Sequence, residues 1–291
     1  MTHQFMWYNG EFVPSADAKT SLLTHGLHYG TGVFEGIRCY ETPKGPAVFR
    51  LTEHLLRMKD GCDVLGLPFD IGQVEEAILE LVARNECSDA YIRPLTYFET
   101  GGLGLDVDTL KACSLIATLP WSSHLGEKAK TYGISVSKSK LRRNSRKALP
   151  PLKLCGGYIN SIIAKRKASS EGFEEALFVD DHGYVVEATG ENVFYVKDSR
   201  VYAVEHPDAL AGITRSTVMS LSGAVSKRTR YEELLDADEV FLTGTSAEIT
   251  GVNTLDERRF SLGPITRELQ DLYQAIVHGH NSEYSGWLSW N

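Results

Sequence analysis

The stretch EALFVDDHGYVVEATGENVFYVKDSRVYAV, residues 175–204, is dense in β-branched and aromatic residues and carries DDHG (180–183) where a hairpin must turn. It reads as a run of strands. Helical spacing flanks it on both sides: YINSIIAKRKASSEG (158–172) is closed by Gly172, and GITRSTVMSLSGAVSK (212–227) opens at a glycine. ADEVFLTGTSAEITGV (237–252) is a strand feeding a tight turn, and GISVSKSKLRR (133–143) a further strand. Upstream, EFVPS (11–15), GIRCYET (36–42), PAVFR (46–50), AYIRPLTYFET (90–100) and ACSLIATLPW (112–121) have strand character. Between them LTEHLLRMKDGCDVLG (51–66), with Thr52 as N-cap, and IGQVEEAILELVARNE (71–86) are helical. SSHLGEKAKTYG (122–133) is polar and short of apolar anchors, the mark of a linker. Helices and antiparallel-looking strands interleave without a regular βαβ rhythm, so the expected class is α+β in two domains. The expected boundaries are 1–124 for a smaller N-terminal domain, 125–133 for the linker and 134–291 for a larger C-terminal domain.

The 291 residues are 42% hydrophobic, 23% charged and 10% aromatic, as in an ordinary globular protein with a well-buried core. Thirty basic against 38 acidic side chains leave a formal charge of −8, which argues against nucleic acid or an anionic membrane as partner. Any polyanionic group must be held by a local site. The start, MTHQFMWYNGEFVPS, lacks a basic region followed by an apolar one, and no apolar run approaches a membrane span. Five scattered cysteines without a CxxC pair fit free thiols, and a cytoplasmic location is expected.

RKALPPLKLCGGY, residues 146–158, is an unusual setting for a lysine. Two prolines precede Lys153, leucines flank it, and Gly156-Gly157 follow. A lysine nucleophile must be partly deprotonated, and an apolar site disfavours its ammonium form. Neighbouring glycines let a flat ring approach the backbone. LAGITRSTV (210–218) puts Gly212, Ile213 and Thr214 at a helix start, where unpaired N–H groups and the helix dipole favour a phosphate. FLTGTSAEIT (241–250) offers Gly244, Thr245 and Ser246 in a similar arrangement, and Arg57 lies mid-helix as a further cation. Glu187 sits in an otherwise apolar strand and needs a cationic or hydrogen-bonding partner, either a nearby Arg or Lys or a protonated pyridine nitrogen. Lysine, phosphate cradle and carboxylate are the parts of a pyridoxal phosphate site. His25 and His28 stand three apart without a carboxylate or cysteine in register, so no metal is expected. GGLGLD (101–106) lacks the helix that a dinucleotide fingerprint requires.

With these pieces together the chain resembles the fold-type IV pyridoxal phosphate enzymes, and within them the branched-chain amino acid aminotransferases. The matching stretches are HGLHYGTGVFEGIRCY, EHLLRMKD, AYIRPL, LPW, K…GGY, GYVVEATGENVF, LAGITR and EVFLTGTSAEIT, in the family's order and over nearly the whole chain. The resemblance implies a larger domain with a barrel-like β core and pyridoxal 5′-phosphate as cofactor. It implies that Lys153 forms the aldimine and shuttles the proton between substrate and cofactor. By the same resemblance Glu187 faces the pyridine nitrogen, Tyr158 bonds the phenolic oxygen, and Arg57, Ile213, Thr214 and Thr245 hold the phosphate. Phe34, Gly36, Tyr91, Tyr97 and Trp121 would line an apolar pocket, Arg93 and Tyr29 would take the carboxylate, and Ser246 and Ala247 would give backbone donors. Leu105 and Tyr29 would reach a neighbouring subunit's site, so a homodimer or a higher homo-oligomer is expected. His124 stands where the family commonly has tyrosine, and Gly157 where it has asparagine.

The implied reaction moves the amino group of L-leucine, L-isoleucine or L-valine to 2-oxoglutarate, so that small molecules, amino acids and 2-oxo acids, are its partners rather than nucleic acid or a membrane. On the same fold the alternatives are a D-amino acid or (R)-amine transaminase and an aminodeoxychorismate-type lyase, against which the retained YIR of Tyr91–Arg93 counts. A non-catalytic binding descendant would have lost Lys153 or Glu187, and both are present.

Overall fold

Ala90–Phe98 and Ala112–Pro120 pair antiparallel along their full length in the structure, a computed structural model that describes residues 3–121 and 126–291. His124 and the first residue of the expected linker lie outside the described residues. Around this pair the sheet runs in the order Leu288–Ser289, Ala47–Phe49, Ile37–Tyr40, Ala90–Phe98, Ala112–Pro120, Phe5–Tyr8 and Glu11–Pro14, with Gly32–Phe34 also paired to Ala90–Phe98. Alternation along Ala90–Phe98 buries Ala90 and Ile92 on one side and leaves Tyr91 and Arg93 half-buried on the other. The buried side packs with Ile37, Leu55, Ile78 and Leu81 against helices Leu51–Leu65 and Ile71–Arg84. These elements, with residues 152–156 and 275–291, make the first of two compact units. The last residues join it because Leu288–Ser289 pairs with Ala47–Phe49, whereas the expected 134–291 domain includes them.

Arg50, not Thr52, caps the helix Leu51–Leu65. Arg50 adopts φ +54°, in the left-handed region, where its N–H donates to the Trp287 carbonyl (2.7 Å) and its guanidinium lies 4.9 Å over the Trp287 ring. Those contacts hold a conformation that side chains rarely adopt, and the helix thereby begins at the fully buried Leu51. Asp70 caps the next helix as a capping residue should, its side chain accepting from the Gln73 N–H at 3.0 Å.

The second unit, from residues 126–151 and 157–274, is built on another sheet. Its order is Val185–Ala188, Glu175–Val179, Ile134–Lys138, Glu248–Leu255, Glu239–Gly244, Asn192–Lys197, Arg200–Val204 and Val225–Lys227, with Arg258–Arg259 on the flank of Glu248–Leu255. The sheet is mixed rather than antiparallel throughout. Ile134–Lys138 runs parallel to both neighbours, and Arg200–Val204 runs parallel to Val225–Lys227. Helices Tyr158–Ser170 and Ile213–Ser222 supply two of the crossovers that parallel pairing needs. Most of the segment that reads as a linker is helical, Gly126–Tyr132, with Ala129 seated in the core of this unit beside Ile134 and Val252. Among the described residues no helix is long and apolar enough to cross a membrane.

Replacing Asp70 by alanine removes a cap worth about 1 kcal/mol. A fall in Tm of roughly 2–4 °C is expected by calorimetry, and an unchanged Tm would show that the helix Ile71–Arg84 does not depend on its cap.

Candidate active site

In the first unit, residues 152–156 lie along the strand Gly32–Phe34. Val33 and Leu154 form an antiparallel bridge, and the Phe34 N–H donates to the Lys153 carbonyl at 3.3 Å. Val33 and Leu154 are both buried, so apolar burial fixes the register and sets the Lys153 Nζ 5.0 Å from the Phe34 ring centre. Two glycines permit the approach. Gly30 has φ +69°, and a Cβ there would meet the Gly156 Cα at 2.8 Å. Cys155 points beside Gly32 and lines a cavity of about 210 Å³ with Leu27, Leu95, Tyr97 and Leu115. Burial pushes its thiol up, which disfavours the reactive thiolate.

The half-buried side of the first sheet gathers the expected substrate residues. The Arg93 guanidinium lies 4.8 Å over Phe34 and 5.2 Å over Tyr91, and its Nη2 donates to the Tyr91 Oη at 2.9 Å. Among the described residues the buried Arg93 Nε has no hydrogen-bond partner, a donor suited to an incoming carboxylate. Tyr91 stacks on Trp121 at 5.0 Å, and a Cβ on Gly36 would fall 1.9 Å from the Tyr91 Oη, so only glycine fits there. Tyr29 is 47% exposed and donates to the Leu103 carbonyl at 2.7 Å, two residues from the 83% exposed Leu105. His25 bonds Thr31 and the Gly104 carbonyl and braces that loop; among the described residues nothing gathers as metal ligands.

Next to Phe34 in sequence is Glu35, bonded to His54; both lie in stretches that match the family, but the sequence assigns neither a role. Glu35 is fully buried and takes Arg57 through Nε at 2.6 Å and Nη2 at 2.9 Å. The His54 Nδ1 lies 2.8 Å from the same carboxylate. Burial alone would raise the Glu35 carboxyl, but the Arg57 guanidinium beside it, with the hydrogen bonds from His54 and Arg57, holds it well below the usual range. An ionised carboxylate only accepts, so Nδ1 is the protonated nitrogen of His54. Burial lowers the His54 pKa, more than Glu35 raises it, and keeps the ring neutral.

The second unit holds the residues expected to form an anion cradle. Gly212 precedes the helix Ile213–Ser222, with Ile213 and Thr214 buried in its first turn. The loop before it is pinned twice: the Glu187 Oε2 accepts the Leu210 N–H at 3.0 Å, and Asn192 donates to the Leu210 carbonyl at 2.9 Å. A Cβ on Gly212 would fall 1.9 Å from the Asn192 Oδ1. Glu187 is buried, and its other oxygen takes the Arg143 Nε at 2.6 Å. Arg143 carries no sequence signal for this role because it lies 44 residues away. Its guanidinium also reaches Asn160 and the Gly157 carbonyl, next to Tyr158 at the start of a helix.

Thr245, Ser246 and Ala247 form the tight turn expected after the strand, as a hairpin loop between Glu239–Gly244 and Glu248–Leu255. The next residue, Glu248, takes φ +52° without being glycine. Its buried carboxylate pairs with Lys130 at 3.1 Å and Gln274 at 2.8 Å, which compensates the local strain. Gly244 sits against Glu191, whose carboxyl is pushed up to about 8 by burial and by Glu175.

The sequence model described as amino-transferase class IV matches residues 32–255 of this chain. A branched-chain-amino-acid aminotransferase of Pseudomonas aeruginosa is 39% identical over 97% of this chain and 95% of its own, and one of Escherichia coli K12 is 36% identical over 98% and 96%. The crystal structure of the T.th. branched-chain amino acid aminotransferase with pyridoxamine 5′-phosphate superposes with a TM-score of 0.94 at 41% identity, covering 100% of this chain and 99% of that one. The same protein complexed with N-(5′-phosphopyridoxyl)-L-glutamate also gives 0.94, over 99% of this chain and 98% of that one.

His54 makes stability depend on pH. Held neutral when folded, it is protonated first in the unfolded chain as pH drops below its ordinary value of 6.5, so acidification favours unfolding. Between pH 7 and 5 the Tm of His54→Gln is expected to fall less steeply than that of the unaltered protein. Equal slopes would show that His54 does not contribute.

Proposed function

Since the chain belongs to the class IV aminotransferases, we propose that it is a pyridoxal phosphate-dependent transaminase carrying the amino group of an L-branched-chain amino acid to 2-oxoglutarate. The observation that carries this is the amine of Lys153 over one aromatic ring, Phe34, that also lies under the guanidinium of Arg93. An amine, an apolar surface and a carboxylate-binding cation are the minimum for handling an aliphatic amino acid. Relatives named for that activity match over nearly their whole length, and a structural neighbour is complexed with a phosphopyridoxyl-L-glutamate, the amino acid partner of 2-oxoglutarate.

The residues present fit the cofactor: a glycine-capped helix start and the 245–247 turn for an anion, a buried carboxylate fixed at 187, and close glycine contact at 30 and 156. Bound pyridoxal phosphate supplies an aldehyde carbon and a ring that accepts the electron pair released at the substrate's α-carbon. Lys153 Nζ is the group that holds this carbon at rest and then moves the α-proton. Glu187, oriented by Arg143, is proposed to face the ring nitrogen, and Tyr158 to bond the phenolic oxygen. Arg57, the N–H groups of Ile213 and Thr214, and Thr245 are assigned to the phosphate. Phe34, Gly36, Tyr91 and Trp121 exclude water from the aliphatic side chain, while Arg93 and Tyr29, with the backbone of Ser246 and Ala247, orient the carboxylate.

The same proposal includes a homodimer in the cytoplasm. Leu22 at 87% and Leu105 at 83% exposure, and Ile159, Ile162 and Ile163 along one face of a helix, are apolar surface that a second copy would cover. Five free cysteines suit a reducing compartment.

Protein loaded with pyridoxal phosphate should show a yellow absorption band that bleaches on adding L-isoleucine and returns with 2-oxoglutarate. A band indifferent to L-isoleucine, L-leucine and L-valine would discard the substrate, and pyruvate release from an aminated chorismate would point to a lyase instead. Light scattering should give at least twice the 32.2 kDa chain mass; a monomer at micromolar concentration would contradict the dimer.

A further inference from the structure

Glu35 is enclosed on every side, at 0% exposure, and each carboxylate oxygen is used. Oε1 takes the Arg57 Nε at 2.6 Å, and Oε2 takes the Arg57 Nη2 at 2.9 Å, the His54 Nδ1 at 2.8 Å and the Gly36 N–H at 3.1 Å. Its own N–H donates to the Pro94 carbonyl at 3.0 Å, so the backbone cannot shift to follow a moving side chain. The two residues beside it are Phe34, which lies next to Lys153, and Gly36, which lies against Tyr91. A side-on, two-bond grip fixes the plane of a guanidinium as a single contact does not. His54 comes from the same helix as Arg57, one turn earlier, and anchors the carboxylate from that side.

We propose that Glu35 is a positioning residue for the cofactor: it orients the Arg57 guanidinium towards the phosphate and ties that arginine to the strand segment carrying Phe34 and Gly36. This rests on the assignment of Arg57 to the phosphate made above. Through this pairing, phosphate affinity depends on a carboxylate that itself would repel a phosphate. A purely structural ion pair, by contrast, would affect phosphorylated and unphosphorylated cofactor alike.

The test is absorbance titration of the full-length apoprotein with pyridoxal phosphate and, separately, with pyridoxal. The proteins are the unaltered chain, Arg57→Ala, Glu35→Gln and the double variant, each with circular dichroism and Tm as folding controls. Arg57→Ala is expected to weaken pyridoxal phosphate binding by about tenfold to a hundredfold, the range for a hydrogen bond to a charged group. Glu35→Gln should weaken it by about tenfold while leaving pyridoxal within about twofold. In the double variant the loss should equal that of Arg57→Ala alone, because the two residues act as one unit. If Glu35→Gln does not fold, Glu35→Asp takes its place: the charge is kept, the reach is shortened, and the same phosphate-selective loss is expected. Normal pyridoxal phosphate binding by the Glu35 variant beside a weakened Arg57→Ala overturns the inference and leaves the phosphate assignment standing. Additive losses in the double variant also overturn it. Unchanged binding by Arg57→Ala removes the phosphate assignment and the inference together.

Discussion

A buried charge must be paired, and this constraint organises both units. Removing one partner of a buried ion pair costs about 3–5 kcal/mol, a large part of the roughly 5–15 kcal/mol that stabilises an ordinary fold. Glu35 meets the constraint with Arg57 and His54, and Glu187 meets it with Arg143 and the Leu210 N–H. In each case the partner comes from a distant part of the chain, so satisfying the charge also fixes the strand to a helix or a loop. The positions so fixed are those to which the proposed chemistry is assigned. Glu35 stands between Phe34 and Gly36, and Glu187 holds the loop that opens the helix at Ile213.

Local charge also reconciles an anionic cofactor with a chain of formal charge −8. The helix start at Ile213 and the loop at 245–247 present backbone N–H groups, whose donor capacity does not depend on net charge. Burial of Glu191 and Glu248 does not add two unscreened negative charges there: Glu191 is pushed towards its neutral form, and Glu248 is paired with Lys130.

Much of this is legible in the sequence. Strand-favouring residues mark Ala90–Phe98 and Ala112–Pro120, and the glycine and apolar run around Lys153 announces an unusual lysine. The glycine before Ile213 gives the helix start, and the tight turn read after Glu239–Gly244 is the hairpin that pairs it with Glu248–Leu255. Parallel pairing is not legible, since Ile134–Lys138 and Arg200–Val204 carry the same residue types either way and only the crossover helices decide. Nor are the roles of Glu35, His54 and Arg143. A carboxylate's need for a partner can be read from its neighbours, but the partner's identity is a matter of tertiary contact, 22 residues away for Arg57 and 44 for Arg143. Ala129 shows the same limit in the other direction: its burial, with the Lys130–Glu248 pair and the Asn253 bond to the Tyr132 carbonyl, seats a helix where the sequence reads as linker.

The central claim is that Lys153 is the amine that holds the cofactor. Protein loaded with pyridoxal phosphate, reduced with borohydride, digested with trypsin and mapped by mass spectrometry tests it directly, because reduction makes the carbon–nitrogen link permanent. The phosphopyridoxyl group should be found on Lys153, in a peptide that trypsin fails to cut there. A label spread over surface lysines, or fixed on another lysine such as Lys165, would contradict the claim.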